Sequence, residues 1–132
     1  MITFMHSSRS QENLANIFTP QILSSESNYD NNRNPHYSGT TYYQLKLKAA
    51  IDDSKVIISK ASFYFICEKP DRSISTIRAD SIVNIISNWY ELYFSITSPK
   101  GWMDVALSRD TINFDNEIKH IPISNKQSVL LK

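Results

Sequence analysis

The sequence predicts an α+β fold: a single domain over residues 1–132, with an antiparallel sheet of about five strands built from two hairpins and one or two helices packed on one face. Three observations carry that expectation. Apolar and polar residues alternate over Thr41–Ile51, and again over Leu92–Ile96 and Met103–Leu107, which is the period of half-buried strands. Between Asp80 and Trp89 the apolar spacing becomes i, i+3, i+4, i+7, the period of a helix. The strands come in pairs and do not alternate with helices, so a parallel sheet is not indicated.

Residues Ser7–Leu23 read as a short amphipathic helix. Ser8 or Ser10 caps it, Glu12 suits its first turn, Leu14, Ile17 and Phe18 form an apolar stripe, and Pro20 ends it. Ser24–Thr40 contains no aliphatic residue and exceeds the usual length of a connection, so a mobile polar loop is expected. In the strand that follows, Tyr43, Leu45, Leu47, Ala49 and Ile51 face one way and Tyr42, Gln44, Lys46 and Lys48 the other. Asp52–Lys55 supplies a turn into a second strand with Ile57, Ala61, Phe63, Phe65 and Cys67 on its apolar face, ended by Pro70-Asp71, and the two make a first hairpin.

The helix over Asp80–Trp89 rests on Ile82, Ile85, Ile86 and Trp89, with Asp80 or Ser81 as cap. Strand is the competing reading, because Ile82, Val83, Ile85 and Ile86 are β-branched. A second hairpin with Ser98-Pro99-Lys100-Gly101 as its loop sets Ile96 against Met103, Phe94 against Val105 and Leu92 against Leu107, making every inward pair apolar. Beyond Ser108 the pattern weakens to a short strand at Ile112 and Phe114, a turn at Asp115-Asn116, and an edge strand over Ile118–Ile123 interrupted by Pro122. The tail Ser128–Lys132 docks or frays.

Composition removes several classes of function. The only glycines are Gly39 and Gly101, so there is no phosphate loop, no dinucleotide-binding turn and no nucleophile elbow. Lys+Arg 14 against Asp+Glu 13 gives no global field toward nucleic acid or acidic membranes. Cys67 stands alone, which excludes an intramolecular disulfide and a multi-thiolate metal site and favours a reducing compartment. The N-terminus has no basic segment of the signal-peptide type and no stretch approaches the ~18 apolar residues of a membrane helix, so a cytoplasmic protein that does not engage membranes is expected. No cofactor or metal is indicated; Asp30, Asn32 and Asn34 mimic part of a calcium loop, but Pro35 stands where glycine is required and Thr41 where the bidentate glutamate belongs.

Three groups of residues are candidates for function. Trp89, Tyr93, Trp102 and Asp104, with Glu91 among them, lie on the outward face of the second hairpin and suit a protein partner, unless the N-terminal helix or C-terminal tail covers them. Lys46, Lys48 and Lys60 share the outward face of the first hairpin with Tyr42 and Tyr64, which suits nucleic acid if the lysines do more than discourage edge aggregation. His36 and His120 with Lys119 would suit acid/base cleavage of a phosphodiester if they met; His6 is the remaining histidine. Cys67, on an apolar strand face, reads as an inert core residue. The expectation is a small non-enzymatic protein-binding module of the inhibitor, immunity or accessory type, with nucleic-acid binding and histidine-dependent hydrolysis as alternatives and the oligomeric state open.

Overall fold

The computed structural model describes residues 14–27, 40–56, 58, 63–112 and 118–132, and every helix or strand among them is a strand. These are β1 (Ala15–Ile17), β2 (Gln21–Ser27), β3 (Thr40–Ile51), β4 (Phe63–Glu68), β5 (Ile74–Arg78), β6 (Ser81–Ile86), β7 (Trp89–Pro99), β8 (Gly101–Ile112) and β9 (Ile118–Leu131). They form one curled mixed sheet, ordered β5-β4-β8-β9-β1-β3-β7-β6, with β2 added to β3. The α+β expectation is therefore corrected to an all-β half-barrel.

Both expected helices are strands where they are described. β1 pairs with Ala49–Ile51 of β3, and β2 pairs with the same edge of β3 from Lys46 back to Thr41. The two segments are separated at Phe18-Thr19-Pro20, where proline has no N–H to give to the ladder. Residues 7–13 of the expected helix lie outside the described residues. In the second case the β-branched residues Ile82–Ile86 pair with β7, and Ser87-Asn88 closes a tight hairpin between Ile86 and Trp89. Ser87 takes a φ of 53°, and the Asn84 amide braces the turn by donating to the Ser87 and Trp89 carbonyls, each at 3.0 Å. The helical spacing of the isoleucines was incidental, since Ile85 and Ile86 are exposed.

Neither expected hairpin forms. β3 gives one edge to β1 and β2 and the other to β7; β4 lies between β5 and β8; β7 lies between β3 and β6; β8 lies between β4 and β9. A strand has two hydrogen-bonding edges, and on all four both are taken. The inward sets survive the change of partner: Leu92, Phe94, Ile96, Met103, Val105 and Leu107 are all buried, as are Tyr43, Leu45, Leu47, Ala49, Ile51, Phe63, Phe65 and Cys67. Ile57 and Ala61 lie outside the described residues.

The expected loop over Ser24–Thr40 is strand at both ends, with Ser24–Ser27 in β2 and Thr40 in β3; residues 28–39 lie outside the described residues. The C-terminal tail is the end of β9, paired with the start of β8, and buries Val129 and Leu131. Pro122, on β9, pairs with Ser108, and β9 lies between β8 and β1 but is in register with β1 only at Ser124. Pro122 sits beside a break in the β8–β9 register between Ala106 and Ser108, where the Leu107 N–H donates to Ser124 Oγ at 2.9 Å in place of a ladder bond. β8 runs to Ile112, whereas 113–117, with Phe114 and the Asp115-Asn116 turn, lie outside the described residues.

Curling brings the sheet's two ends together. Ala79 N–H donates to the Phe63 carbonyl at 3.2 Å, while Asp80 N–H donates to the Tyr93 carbonyl at 2.7 Å. The segment from β5 to β6 is thus one bent strand that leaves β4 and joins β7. On the far side, β1 meets β9 in parallel, and the Asn125 side chain clamps Ile17 by accepting from its N–H at 2.8 Å and donating to its carbonyl at 3.1 Å. The concave side is a continuous apolar core; the convex side carries the outward-facing candidates among the described residues.

Candidate functional site

The convex surface has two parts. On the β4/β8/β9 part, the outward residues of β8 are Trp102 and Asp104. Trp102 is 63% exposed and stands opposite Leu130 of β9, itself exposed. Asp104 lies opposite Ser128, whose hydroxyl donates to Oδ1 at 2.6 Å, and on its other side opposite Glu68 of β4. Two carboxylates placed directly across a strand pair repel each other. Neither has an ion-pair partner among the described residues. Ile74, 67% exposed and paired with Glu68, extends the patch, and a shallow groove of about 260 Å³ between them reaches Ile66, Ala106 and Lys126.

On the β3/β7/β6 part, Glu91 is the organising residue. Its Oε2 lies 3.5 Å from Lys46 Nζ, and its Oε1 accepts from the Tyr93 hydroxyl at 3.1 Å. Lys48, directly opposite Glu91 in register, is left without an ion pair among the described residues. Beside it Phe18 and Trp89 pack with ring centroids 5.4 Å apart, and Ile85 and Ile86 close an apolar cleft of about 500 Å³.

The four partner-binding candidates therefore divide into two pairs. Trp89 and Tyr93 lie on β7, Trp102 and Asp104 on β8, and the hairpin face that was to unite them does not exist. The lysine face is likewise dispersed. Lys46 is paired with Glu91, Lys48 lines the apolar cleft, and Lys60 lies outside the described residues. Tyr42 is exposed on β3 opposite Thr97. Tyr64 on β4 is held between two neighbours: the Arg78 guanidinium donates to its hydroxyl from Nη2 at 2.5 Å and Nε at 3.2 Å and lies 5.2 Å over the ring, while His120 packs at 4.6 Å.

Of the acid/base candidates, His36 lies outside the described residues, as does His6, and His120 is engaged with Tyr64 on β9. The calcium-loop mimic also lies outside them, apart from Thr41 at the start of β3. Among the described residues no group of three or more His, Cys, Asp or Glu side chains is placed to hold a metal ion. No helix of the described residues is long and apolar enough to cross a membrane. Cys67 is fully buried, and burial pushes its thiol up to about 12, against a small opposing pull from Lys69.

Sequence reasoning missed Glu68, Phe18, Ile85 and Ile86 as members of these surfaces, and named Lys48 for a different one. The turn signal Ser87-Asn88 between a β-branched run and Trp89-Tyr90 was available and would have placed Ile85 and Ile86 on a strand. A scan against protein-family models finds no match to this chain, and a search of curated proteins finds none either.

Proposed function

We propose that this chain is a non-enzymatic protein-binding module, of the inhibitor, immunity or accessory kind, and that it engages its partner through the Trp102 surface. The observation that carries the reading is a tryptophan 63% exposed near the start of β8, where it pairs with Leu130 of β9, beside the opposed carboxylates of Asp104 and Glu68. A large aromatic held in water by a rigid sheet is the kind of group that dominates interface energy when it is covered. Like charges set opposite each other cost stability, and a cationic partner offsets that cost. The partner surface that fits is therefore basic at its centre and apolar around it, to meet Leu130 and Ile74.

Supporting this over nucleic-acid binding, Lys46 is neutralised by Glu91 and Tyr64 is already engaged by Arg78 and His120. The test is to recover the partner with a tagged chain from native cells and titrate it against wild type, Trp102→Ala and Glu68→Lys. Both variants are expected to lose most of the affinity while circular dichroism stays that of the parent. A partner that binds both variants as tightly as wild type would remove this surface from the interface.

A further inference from the structure

We infer that the cleft between Phe18, Trp89, Ile85 and Ile86 binds a free amphipathic monocarboxylate, an alkyl or aryl acid whose carboxylate meets Lys48. This site lies on the β3/β7/β6 surface and does not rest on the Trp102 interface. Its walls come from three separated parts of the chain: Phe18 follows β1, Lys48 is on β3, and the β6–β7 hairpin supplies Ile85, Ile86 and Trp89. The volume of about 500 Å³ falls within the about 300–1,000 Å³ of small-molecule sites, which are mostly apolar with a few placed polar groups.

The charge arrangement selects the ligand's head group. In a strand pair the residue opposite a lysine is its natural counter-ion, and here that residue is Glu91. Glu91 is engaged by Lys46 at Oε2 and by the Tyr93 hydroxyl at Oε1, and Lys48 makes no ion pair among the described residues, so its ammonium stands at the rim of an apolar surface with no counter-ion in contact. One unneutralised ammonium matches one negative charge. A dianion would bring its second charge toward Glu91 and be repelled, and a cation would meet Lys48 itself. The apolar tail of the ligand covers Phe18 and Trp89 and runs toward Ile85, Ile86 and Val83, which are 47%, 67% and 47% exposed. Burying that surface supplies the affinity, and the ammonium–carboxylate contact supplies the orientation.

Calorimetric titration of the full chain with decanoate, decylammonium and acetate, each below any micelle concentration, tests the inference. Decanoate is expected to give saturable one-to-one binding and to change Trp89 emission, with no binding of acetate or decylammonium. Lys48→Met should weaken decanoate by about tenfold or more, the loss of one charge-assisted contact. Lys48→Glu should reverse the preference toward decylammonium, and Ile86→Asp, a change at an exposed position, should abolish decanoate binding with an unchanged circular dichroism spectrum. Absence of saturable decanoate binding to the wild type, equal affinity for wild type and Lys48→Met, or equal binding of decanoate and decylammonium would each overturn it.

Discussion

Phe65 and Phe94 stack with centroids 4.1 Å apart and planes 19° from parallel, although β4 and β7, which carry them, are separated along the sheet by β8, β9, β1 and β3. Only a curled sheet lets these rings meet, so their contact joins the two halves of the half-barrel. Phe94→Ala should cost about 3–5 kcal/mol through lost burial and the cavity left behind. A double-mutant cycle with Phe65→Ala should return a coupling of about 0.5–1.5 kcal/mol beyond that of separate sites. Additive losses in urea unfolding would mean that the stack contributes nothing beyond burial.

The parallel contact of β1 with β9 depends on a side chain acting as a backbone substitute. Asn125 accepts from the Ile17 N–H and donates to the Ile17 carbonyl, and Gln127 gives that carbonyl a second donor at 3.3 Å. Asn125→Ala therefore strands the N–H of a residue that is 1% exposed, at a cost of about 1–3 kcal/mol. Hydrogen exchange at Ile17 should accelerate in proportion. Unchanged exchange would show that β1 is held by β3 alone.

What the sequence made legible was the direction of side chains, and what it hid was the choice of neighbours. Alternation from Tyr43 to Ile51 and from Leu92 to Leu107 reports which face is buried, and burial is the same whether β7 lies beside β8 or between β3 and β6. Pairing is decided by edges far apart in the chain, so Phe94 stands opposite Leu45 of β3 and stacks on Phe65, while Val105 stands opposite Cys67 of β4. The isoleucines of β6 fall on a helical period in the sequence, and the register shift between Asn84 and Ile86 is where the strand departs from the plain alternation that would have marked it. Trp102 and Asp104 were correctly read as outward-facing. Glu68 could not be attached to them without the β4–β8 register, nor Phe18 to Trp89 without recognising β1.

The opposed carboxylates make a prediction in which stability and binding move in opposite directions. Removing one charge relieves repulsion with Asp104, so Glu68→Gln should stabilise the fold by about 0.2–1 kcal/mol, more at low salt than at high salt. The same variant should bind the partner less tightly if that partner is cationic. Thermal unfolding at two ionic strengths checks the first arm and titration checks the second. A destabilised Glu68→Gln would mean that the carboxylates are held by a cation.

Trp102 separates contribution to the fold from contribution to an interface. Being mostly exposed on β8, it buries little on folding, so Trp102→Ala should change stability by no more than about 0.5 kcal/mol. Covered by a partner, the same side chain should be worth about 2 kcal/mol or more. Denaturation and calorimetry on one preparation give both numbers. A large loss of stability with no change in affinity would make Trp102 a structural residue.

Cys67 links the core to alkaline pH. Its side chain is fully buried on β4, and the cost of placing a thiolate there raises the thiol from its ordinary 9.0 to about 12. A folded-state value above the unfolded one favours the native state while the thiol is protonated in both, below about pH 9. That contribution falls as the pH rises from 9 toward 12, because the unfolded chain ionises first. Native protein at pH 8 should therefore not react with a thiol-specific disulfide reagent, and should react fully once unfolded. Cys67→Ala should start from a lower stability, for the cavity, but lose less of it between pH 9 and 12 than the wild type. Equal slopes for the two proteins, or rapid labelling of the native thiol, would place Cys67 in contact with solvent.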